Sequence, residues 1–237
     1  MKPSTTLPSN AFVEETRFGN WFLGTDTWKF SVLNRALADL QRVLPAGKEF
    51  AQVLDTGCGF GQSFAELARC FKPERIVAID PAPGLQERAG AKAAACASPV
   101  ELRTDNAASM SFPDAHFDMV FCHQTFHHIV DQEQALAEFF RVLKPGGALL
   151  FAESTKKYIH SLPIRLLFRH PMHVQRTAPE YVAMVRAAGF SLPDANISTP
   201  YLWWSRPDIG FLEWIGRPVP SQREETMVNL VAYKPAA

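Results

Sequence analysis

The chain of 237 residues carries 24 basic and 24 acidic side chains, a balance that provides no global field for nucleic acid or for a strongly acidic partner. This length accommodates one α/β domain with a full core, so we expect a single domain over residues 1–237. The four cysteines are scattered without C-x-x-C spacing, and neither a long apolar run nor an apolar signal segment is present, so we expect a cytoplasmic protein without a disulfide scaffold.

The N-terminal part, residues 1–47, is predicted to be a flap and a helix. Residues 1–10 are rich in Pro, Ser and Thr, which favours a loose tail. The aromatic stretch 17–24 follows neither the helical nor the strand period, and we interpret it as a flap. Asp26 can cap a helix that ends at Pro45 and Gly47. Its apolar stripe consists of Trp28, Leu33, Leu37, Leu40 and Leu44.

The central feature is a strand, a turn and a helix that begin at Gln52. An apolar run over Gln52–Thr56 contains Asp55, and the turn behind it carries glycine at alternate positions: Gly57, Gly59 and Gly61. Glycine lets a ligand approach the main chain without meeting a Cβ atom. Gln62 and Phe64 stand where a dinucleotide fingerprint requires glycine, and no Gly-Lys-Ser/Thr follows, so NAD and P-loop sites are excluded. A turn that binds another nucleotide-like ligand remains, as does a turn that binds none.

The second strand, Arg75–Asp80, reads as a fully buried parallel strand. It places Asp80 at the carboxyl end beside the glycine turn, where open α/β sheets bind ligands. A carboxylate there can accept hydrogen bonds from both hydroxyls of a ribose. The alternative is an ordinary helix cap, because Pro81 to Gly84 follow.

Further elements alternate in the same manner. We predict a helix over 83–97, a strand over 100–103, a strand over 117–123 and a helix behind Asp131. A turn at 144–147 then leads into a strand over 148–152.

Four motifs in order over about residues 50–153 resemble the class I methyltransferases that use S-adenosylmethionine (SAM). They are the acid with G-x-G-x-G, Asp80 at the second strand end, the segment from Asp105 to the Phe-Asp-x-Val strand, and Leu-Lys-Pro-Gly-Gly at 143–147. The chain is similar to the ubiquinone/menaquinone biosynthesis methyltransferase-like (methyltransferase type 11) family. The resemblance implies a Rossmann-like α/β fold with a mostly parallel seven-stranded sheet, helices on both faces and an antiparallel last strand.

The resemblance also implies a SAM site within residues 48–153. The cofactor-binding residues that it predicts are Asp55, Gly57, Cys58, Gly59, Gly61, Asp80, Pro81, Asp105, Asn106, Ala107 and His123. Asn106 stands where the family usually has Asp. Whether Asp105 or Asn106 meets the adenine amino group therefore stays open.

Three histidines, His123, His127 and His128, lie where the fourth strand delivers side chains to the ligand edge. His127 or His128 could act as a general base toward a hydroxyl acceptor, or the pair could only pack or hold the cofactor loop. The i, i+4 spacing of His123 and His127 suits a metal pair on a helix, but this segment is a strand exit without a matching carboxylate. We therefore predict no metal.

Residues 154–237 are expected to supply the acceptor lid, a helix over 179–188 and a hairpin over 196–204 and 226–233. The segment 158–176 is both apolar and basic, and its prolines interrupt a helical stripe, which favours a lid over a helix on a membrane surface. Trp21, Glu153 and Trp203 are predicted substrate contacts. Glu153 could instead cap the turn that follows it, and the aromatic residues could instead complete the core.

These features predict a SAM-dependent methyltransferase with a small or medium-sized, apolar acceptor. The alternatives are a lipid-modifying enzyme of the cyclopropane-forming kind and a SAM-binding sensor without catalysis. We expect a small-molecule acceptor and no nucleic-acid partner.

Overall fold

The computed structural model describes residues 13, 15–45, 47–206 and 208–236, so the tail expected over 1–10 lies outside the described residues. Seven strands form one sheet. They are β1 (Gln52–Thr56), β2 (Arg75–Asp80), β3 (Val100–Thr104), β4 (Phe117–His123), β5 (Leu143–Ser154), β6 (Ile197–Ser198) and β7 (Met227–Tyr233).

Ten α-helical segments accompany the sheet in the described part of the chain. They are α1 (Arg17–Leu23), α2 (Asp26–Trp28), α3 (Asn34–Val43), α4 (Phe64–Phe71), α5 (Leu85–Ala94), α6 (Gln132–Val142), α7 (Lys156–Ile159), α8 (Leu162–Leu167), α9 (Ala178–Ala187) and α10 (Phe211–Trp214). A π-helical turn over Lys29–Leu33 joins α2 to α3. No helix in the described ranges is long and apolar enough to cross a membrane.

The strand order is β3-β2-β1-β4-β5-β7-β6. The first five of these strands run parallel, and β7 lies antiparallel to both β5 and β6. The chain moves outward from β1 to β3 and then crosses back to β4 on the other side of β1, which makes a switch point between β1 and β4. Ligands of open α/β sheets bind at such a point, beyond the carboxyl ends of the strands. The predicted fold class is confirmed.

Hydrophobic cores lie on both faces of the sheet because consecutive strand residues point to opposite sides. Val53 belongs to the cluster with α3 and α4, whereas its neighbour Leu54 belongs to the cluster with α6 and α9. Both residues are fully buried. This two-sided burial explains why the strands read as continuous apolar runs.

The structure corrects the predicted elements near the N-terminus. The stretch expected to be an irregular flap contains the helix α1, whose N-cap Thr16 accepts a hydrogen bond from the Gly19 amide at 2.9 Å. The cap of the next helix is Thr25, and Asp26 is the first helical residue. Ser and Thr side chains satisfy free amides at helix starts as well as Asp does, so the sequence could not separate these neighbours.

The predicted hairpin is also shorter than expected. Its first strand is only Ile197–Ser198, because Trp203–Ser205 form a 3₁₀ turn where we had predicted strand. By contrast, β5 extends over Leu143–Ser154 and includes the Lys-Pro-Gly-Gly segment that we had predicted as a turn.

Candidate functional site

A cavity of about 800 Å³ opens at the carboxyl ends of β1, β2 and β4. The glycine turn forms one wall, and the residues that follow β2 and β4 form two others. The N-terminal segment covers it through Asn20, Leu23 and Trp28. Of the predicted residues, Asp55, Gly57, Cys58, Gly59, Asp80, Pro81, His123 and His128 line this cavity.

The glycines of the turn have different tasks. Gly59 has φ +51°, and a Cβ atom added to it would meet no protein atom within 4 Å. Gly59 also lines the cavity, so its open side faces the ligand space. A Cβ atom on Gly57 would overlap the Thr125 side chain instead. Gly57 therefore makes room for the neighbouring turn, and Gly59 makes room for a ligand.

Asp80 already accepts three hydrogen bonds. Its Oδ2 accepts from the Gly59 amide at 3.0 Å, and its Oδ1 accepts from the Ala82 amide and from the Arg88 guanidinium, each at 3.0 Å. A carboxylate offers roughly four acceptor positions, so about one remains. Burial raises the pKa of Asp80, and the Ala82 amide, Arg88 and the Gly59 amide act against this.

Asp55 lies deeper than Asp80 and is 2% exposed. The Ser63 hydroxyl donates a hydrogen bond to its Oδ2. Burial raises the pKa of Asp55 to about 7, the Ser63 hydrogen bond lowers it, and the nearby Asp80 raises it further. Asp55 is therefore a carboxyl group whose charge changes near neutral pH.

At the end of β4, two residues carry buried polar atoms without a hydrogen-bond partner in the described part of the chain. The buried Nε2 of His123 has no hydrogen-bond partner among the described residues, and neither does the Nε2 of Gln124. Both residues line the cavity. Burial lowers the pKa of His123 to about 3, with a further contribution from His127, so the ring is neutral. Buried polar atoms without a partner are uncommon in folded proteins, so these two mark the end of β4 as a place where a water or a ligand could supply a contact.

The sequence pattern does not indicate Gln124 as a site residue. Its backbone has φ +52°, an uncommon conformation for a residue other than glycine. Its Oε1 accepts a hydrogen bond from the Ser154 hydroxyl at 2.6 Å, which leaves the amide nitrogen free. Strained backbone of this kind concentrates at functional sites. The signal in the sequence is its position directly after the last residue of β4.

Glu153 lies behind the cavity rather than in its wall. Its side chain is fully buried, and its Oε1 accepts from the amides of Thr125 at 2.8 Å and Phe126 at 2.7 Å. The Nδ1 of His127 lies 2.6 Å from its Oε2. The carboxylate at the end of β5 thus fixes the turn that follows β4, rather than the turn that follows β5.

His127 and His128 are close to a third histidine, His170, which comes from the segment 158–176. The ring centroids lie 4.4 Å apart for His127 and His128, and 4.7 Å apart for His128 and His170. Of these three, only His128 lines the cavity in the described part of the chain. Burial, with the neighbouring histidines, lowers the pKa of His128 well below its ordinary value, and burial and His127 lower that of His170 to about 3.

Several predicted contacts lie elsewhere. Asp105 accepts from the Ser111 amide and hydroxyl, and Asn106 accepts from the Ala108 amide, so their oxygens serve their own loop. Ala107 is buried in the core. Trp21 is 64% exposed and Trp203 is 57% exposed. These residues, and Gly61, are absent from the cavity wall.

The N-terminal segment connects the cavity to the segment 158–176. Gln62 donates to the Gly24 carbonyl at 2.8 Å, which ties the glycine turn to the end of α1. The Thr16 hydroxyl donates to the Leu167 carbonyl at 2.6 Å, and the Phe168 ring packs edge-on against Phe18 and Phe22. The cover over the cavity thus consists of α1 and Trp28, and the segment 158–176 packs against α1.

The sheet has a cavity at its switch point, a glycine turn beside that cavity, and acidic residues at the strand ends. Together with the strand order, these features are those of a Rossmann-like fold of the class I methyltransferase kind. A methyltransferase-domain family model matches residues 54–151. A demethylmenaquinone methyltransferase of Thermus thermophilus is 31% identical over 195 residues, which are 69% of this chain and 89% of that protein. The chain belongs to the SAM-dependent methyltransferase family, whose cofactor is SAM.

Other relatives match over a shorter part of their length. A demethylmenaquinone methyltransferase of Deinococcus radiodurans is 32% identical over 151 residues, 62% of this chain and 59% of that protein. A SAM-dependent methyltransferase of Mycolicibacterium smegmatis is 34% identical over 146 residues, 60% of this chain and 52% of that protein. The chain therefore spans between half and three fifths of these two relatives.

Solved structures share the fold. A Haloferax volcanii protein solved with a methyltransferase activator has a TM-score of 0.68 at 20% identity, covering 93% of this chain and 96% of that one. A [4+2]-cyclase has a TM-score of 0.64 at 20% identity, covering 86% and 81%. At this identity the likeness concerns the fold alone.

Proposed function

We propose that the cavity binds SAM and that the protein transfers its methyl group to a small or medium-sized, apolar acceptor. The observation that carries the proposal is Gly59, whose open side faces a cavity bounded by an acid at the end of β2. His123 and Gln124 at the end of β4 also line the cavity. A volume of about 800 Å³ is typical of small-molecule sites. The residues present therefore fit the cofactor of the family.

Asp80 and the glycine turn would hold the cofactor. Asp80 has about one acceptor position left, so it can take one ribose hydroxyl directly and the second where the Arg88 contact gives way. The backbone at Gly59 can approach the ligand closely. SAM supplies an electrophilic methyl group on a sulfonium ion.

The protein's contribution is to position the acceptor and to exclude water. The cover formed by α1 and Trp28 suits the second task. Of His127 and His128, it is His128 that reaches the cavity wall, and its lowered pKa keeps the ring neutral, so it can hydrogen-bond an acceptor without adding charge. His127 is committed to Glu153 and acts by holding the turn.

The acceptor class is inferred from the exposed apolar surface beside the cover. We call this surface the apolar rim; it consists of Phe18, Trp21, Leu162, Leu166 and Leu167, which are 40%, 64%, 71%, 73% and 41% exposed. Exposed apolar groups at this density favour contact with apolar molecules. Two relatives are named for demethylmenaquinone, which supports an apolar acceptor that reaches the cavity along this rim.

The cofactor assignment is tested with a matched pair of glycine variants. Gly59→Asn places a side chain in the ligand space, and Asn tolerates the positive φ better than other residues. Gly146→Asn is the control, because Gly146 also has positive φ (+75°), also has open space around an added Cβ, and does not line the cavity. SAM and S-adenosylhomocysteine should raise the Tm of the wild type and of Gly146→Asn, but not of Gly59→Asn.

NAD and ATP should not raise the Tm of any of these proteins. An unchanged SAM response in Gly59→Asn would contradict the proposed site. Product masses then separate the reaction types: methyl transfer adds one methyl group, the cyclopropane-forming reaction adds a methylene, and a sensor releases no S-adenosylhomocysteine with any acceptor.

A further inference from the structure

Three imidazole rings from two distant segments meet beside the cavity. One ring nitrogen from each of His127, His128 and His170 lies within 4.8 Å of the other two. His127 and His128 follow β4, whereas His170 belongs to the segment 158–176. The sequence spacing alone could not reveal this group.

A buried carboxylate fixes the tautomer of one of these rings. The Nδ1 of His127 lies 2.6 Å from Oε2 of Glu153, which is fully buried. A carboxylate acceptor places the proton on Nδ1 and leaves the lone pair on Nε2. Histidines that bind metals commonly donate their other N–H to a carboxylate, which fixes the tautomer and makes the ring a stronger ligand.

A buried amide holds the two segments together. Gln175 donates to the His127 carbonyl at 2.8 Å and to the Pro171 carbonyl at 3.0 Å. It therefore links the turn that carries His127 to the chain directly after His170. This link between the two segments comes from a buried side chain, since Gln175 is buried.

We propose that His127, His128 and His170 form a binding site for a first-row divalent metal ion of the zinc type. Neutral imidazole nitrogens suit zinc, cobalt, nickel and copper, and they suit magnesium and calcium poorly. Zn–N bonds of about 2.0–2.1 Å place the nitrogens of a tetrahedral site roughly 3.3 Å apart, so the rings would close by about 1.5 Å at most. The proposal reverses the expectation from the sequence, which included no metal.

The proposed site leaves a coordination position for water or for an acceptor. Three protein ligands with one open position are typical of catalytic zinc, whereas structural zinc is closed by four. His128 brings the site to the cavity wall. Metal binding itself does not depend on the proposed methyl transfer, so the two proposals can fail separately.

The test uses the tag-free protein after removal of metals with a chelator. Zn²⁺ is titrated by calorimetry and by competition with a chromophoric chelator, and Co²⁺ is added separately to record its visible spectrum. We expect one Zn²⁺ per chain, an increased Tm, and the intense visible bands of four-coordinate Co²⁺. His170→Ala should weaken zinc binding at least tenfold and abolish those bands.

His173→Ala is the matched control, because this exposed histidine lies three positions further along the same segment. It should bind zinc as the wild type does. Glu153→Gln should weaken binding about 10- to 100-fold by removing the carboxylate from His127. If Glu153→Gln fails to fold, His170→Ala still decides the question, since His170 is only half-buried.

The proposal is overturned if the wild type binds no zinc. It is also overturned if His170→Ala binds zinc with wild-type affinity and stoichiometry, because the metal would then reside elsewhere, for example on the partly accessible thiols of Cys70 and Cys96.

Discussion

Asp55→Asn should change how the stability of the protein depends on pH. The Asp55 carboxyl is buried, and its pKa in the folded protein is raised to about 7. An unfolded aspartate titrates near 3.9, so the shift of roughly 3 units corresponds to about 4 kcal/mol between the two protonation states. Because the folded pKa is the higher one, the contribution of Asp55 to the free energy of unfolding is fully present below the unfolded pKa. Stability is lost as pH rises toward the folded pKa.

The replacement keeps the size of the side chain and an oxygen that accepts from Ser63, but it cannot ionise. The free energy of unfolding of Asp55→Asn relative to wild type should therefore increase by about 2 kcal/mol from pH 5.5 to pH 8 and then level off. The measurement is urea unfolding of both proteins at several pH values without ligand. The quantity to follow is the difference in the free energy of unfolding between the two proteins. The pKa of His123 is lowered by burial and by His127, but this histidine is present in both proteins, so its contribution to the pH dependence cancels in the difference.

A difference that stays constant across this pH range would refute the reasoning. Asp55 would then be ionised throughout, and its environment would be more polar than its burial indicates.

Two further predictions concern binding and packing. Asp80→Ala should weaken SAM binding by about 1.5–3 kcal/mol, the scale for a hydrogen bond to a charged group. If calorimetry shows normal SAM affinity for this variant, Asp80 serves only as the ion-pair partner of Arg88. Trp21→Ala and Trp203→Ala should each lower the free energy of unfolding by less than about 1 kcal/mol, because these side chains are 64% and 57% exposed. A loss of about 3–5 kcal/mol in urea unfolding would show that the side chains belong to the core instead.

The parts of the fold that could be predicted were those with strong local signals. Strands β1, β2 and β4 were predicted with the observed bounds, because strands buried on both faces form continuous apolar runs that end at polar residues. The glycine turn was recognisable because it requires backbone conformations that other residues rarely adopt. The helix α1 was not recognised, since its aromatic residues pack against Phe168 rather than forming a stripe toward the sheet.

Contacts between distant segments could not be predicted from one sequence. His170 belongs to a segment that we had assigned only as a lid, and nothing in its neighbours indicates the histidines after β4. Gln124 was missed for another reason: its importance lies in a left-handed backbone and an unpaired amide, neither of which has a local signature outside glycine and asparagine. The segment over 105–107 was expected in the site because of the resemblance, and oxygens of Asp105 and Asn106 accept hydrogen bonds within their own loop.

The three acids at strand ends show how the environment separates residues that look alike in the sequence. Asp55, Asp80 and Glu153 lie on β1, β2 and β5, and all three reach the same edge of the sheet. Asp80 keeps about one acceptor position free beside the glycine turn, so it can bind a ligand. Asp55 has one hydroxyl partner and a pKa near neutrality, so its charge can respond to a cationic ligand. Glu153 has its partners in the turn after β4, and it acts on the site indirectly by holding Thr125, Phe126 and His127 in that turn.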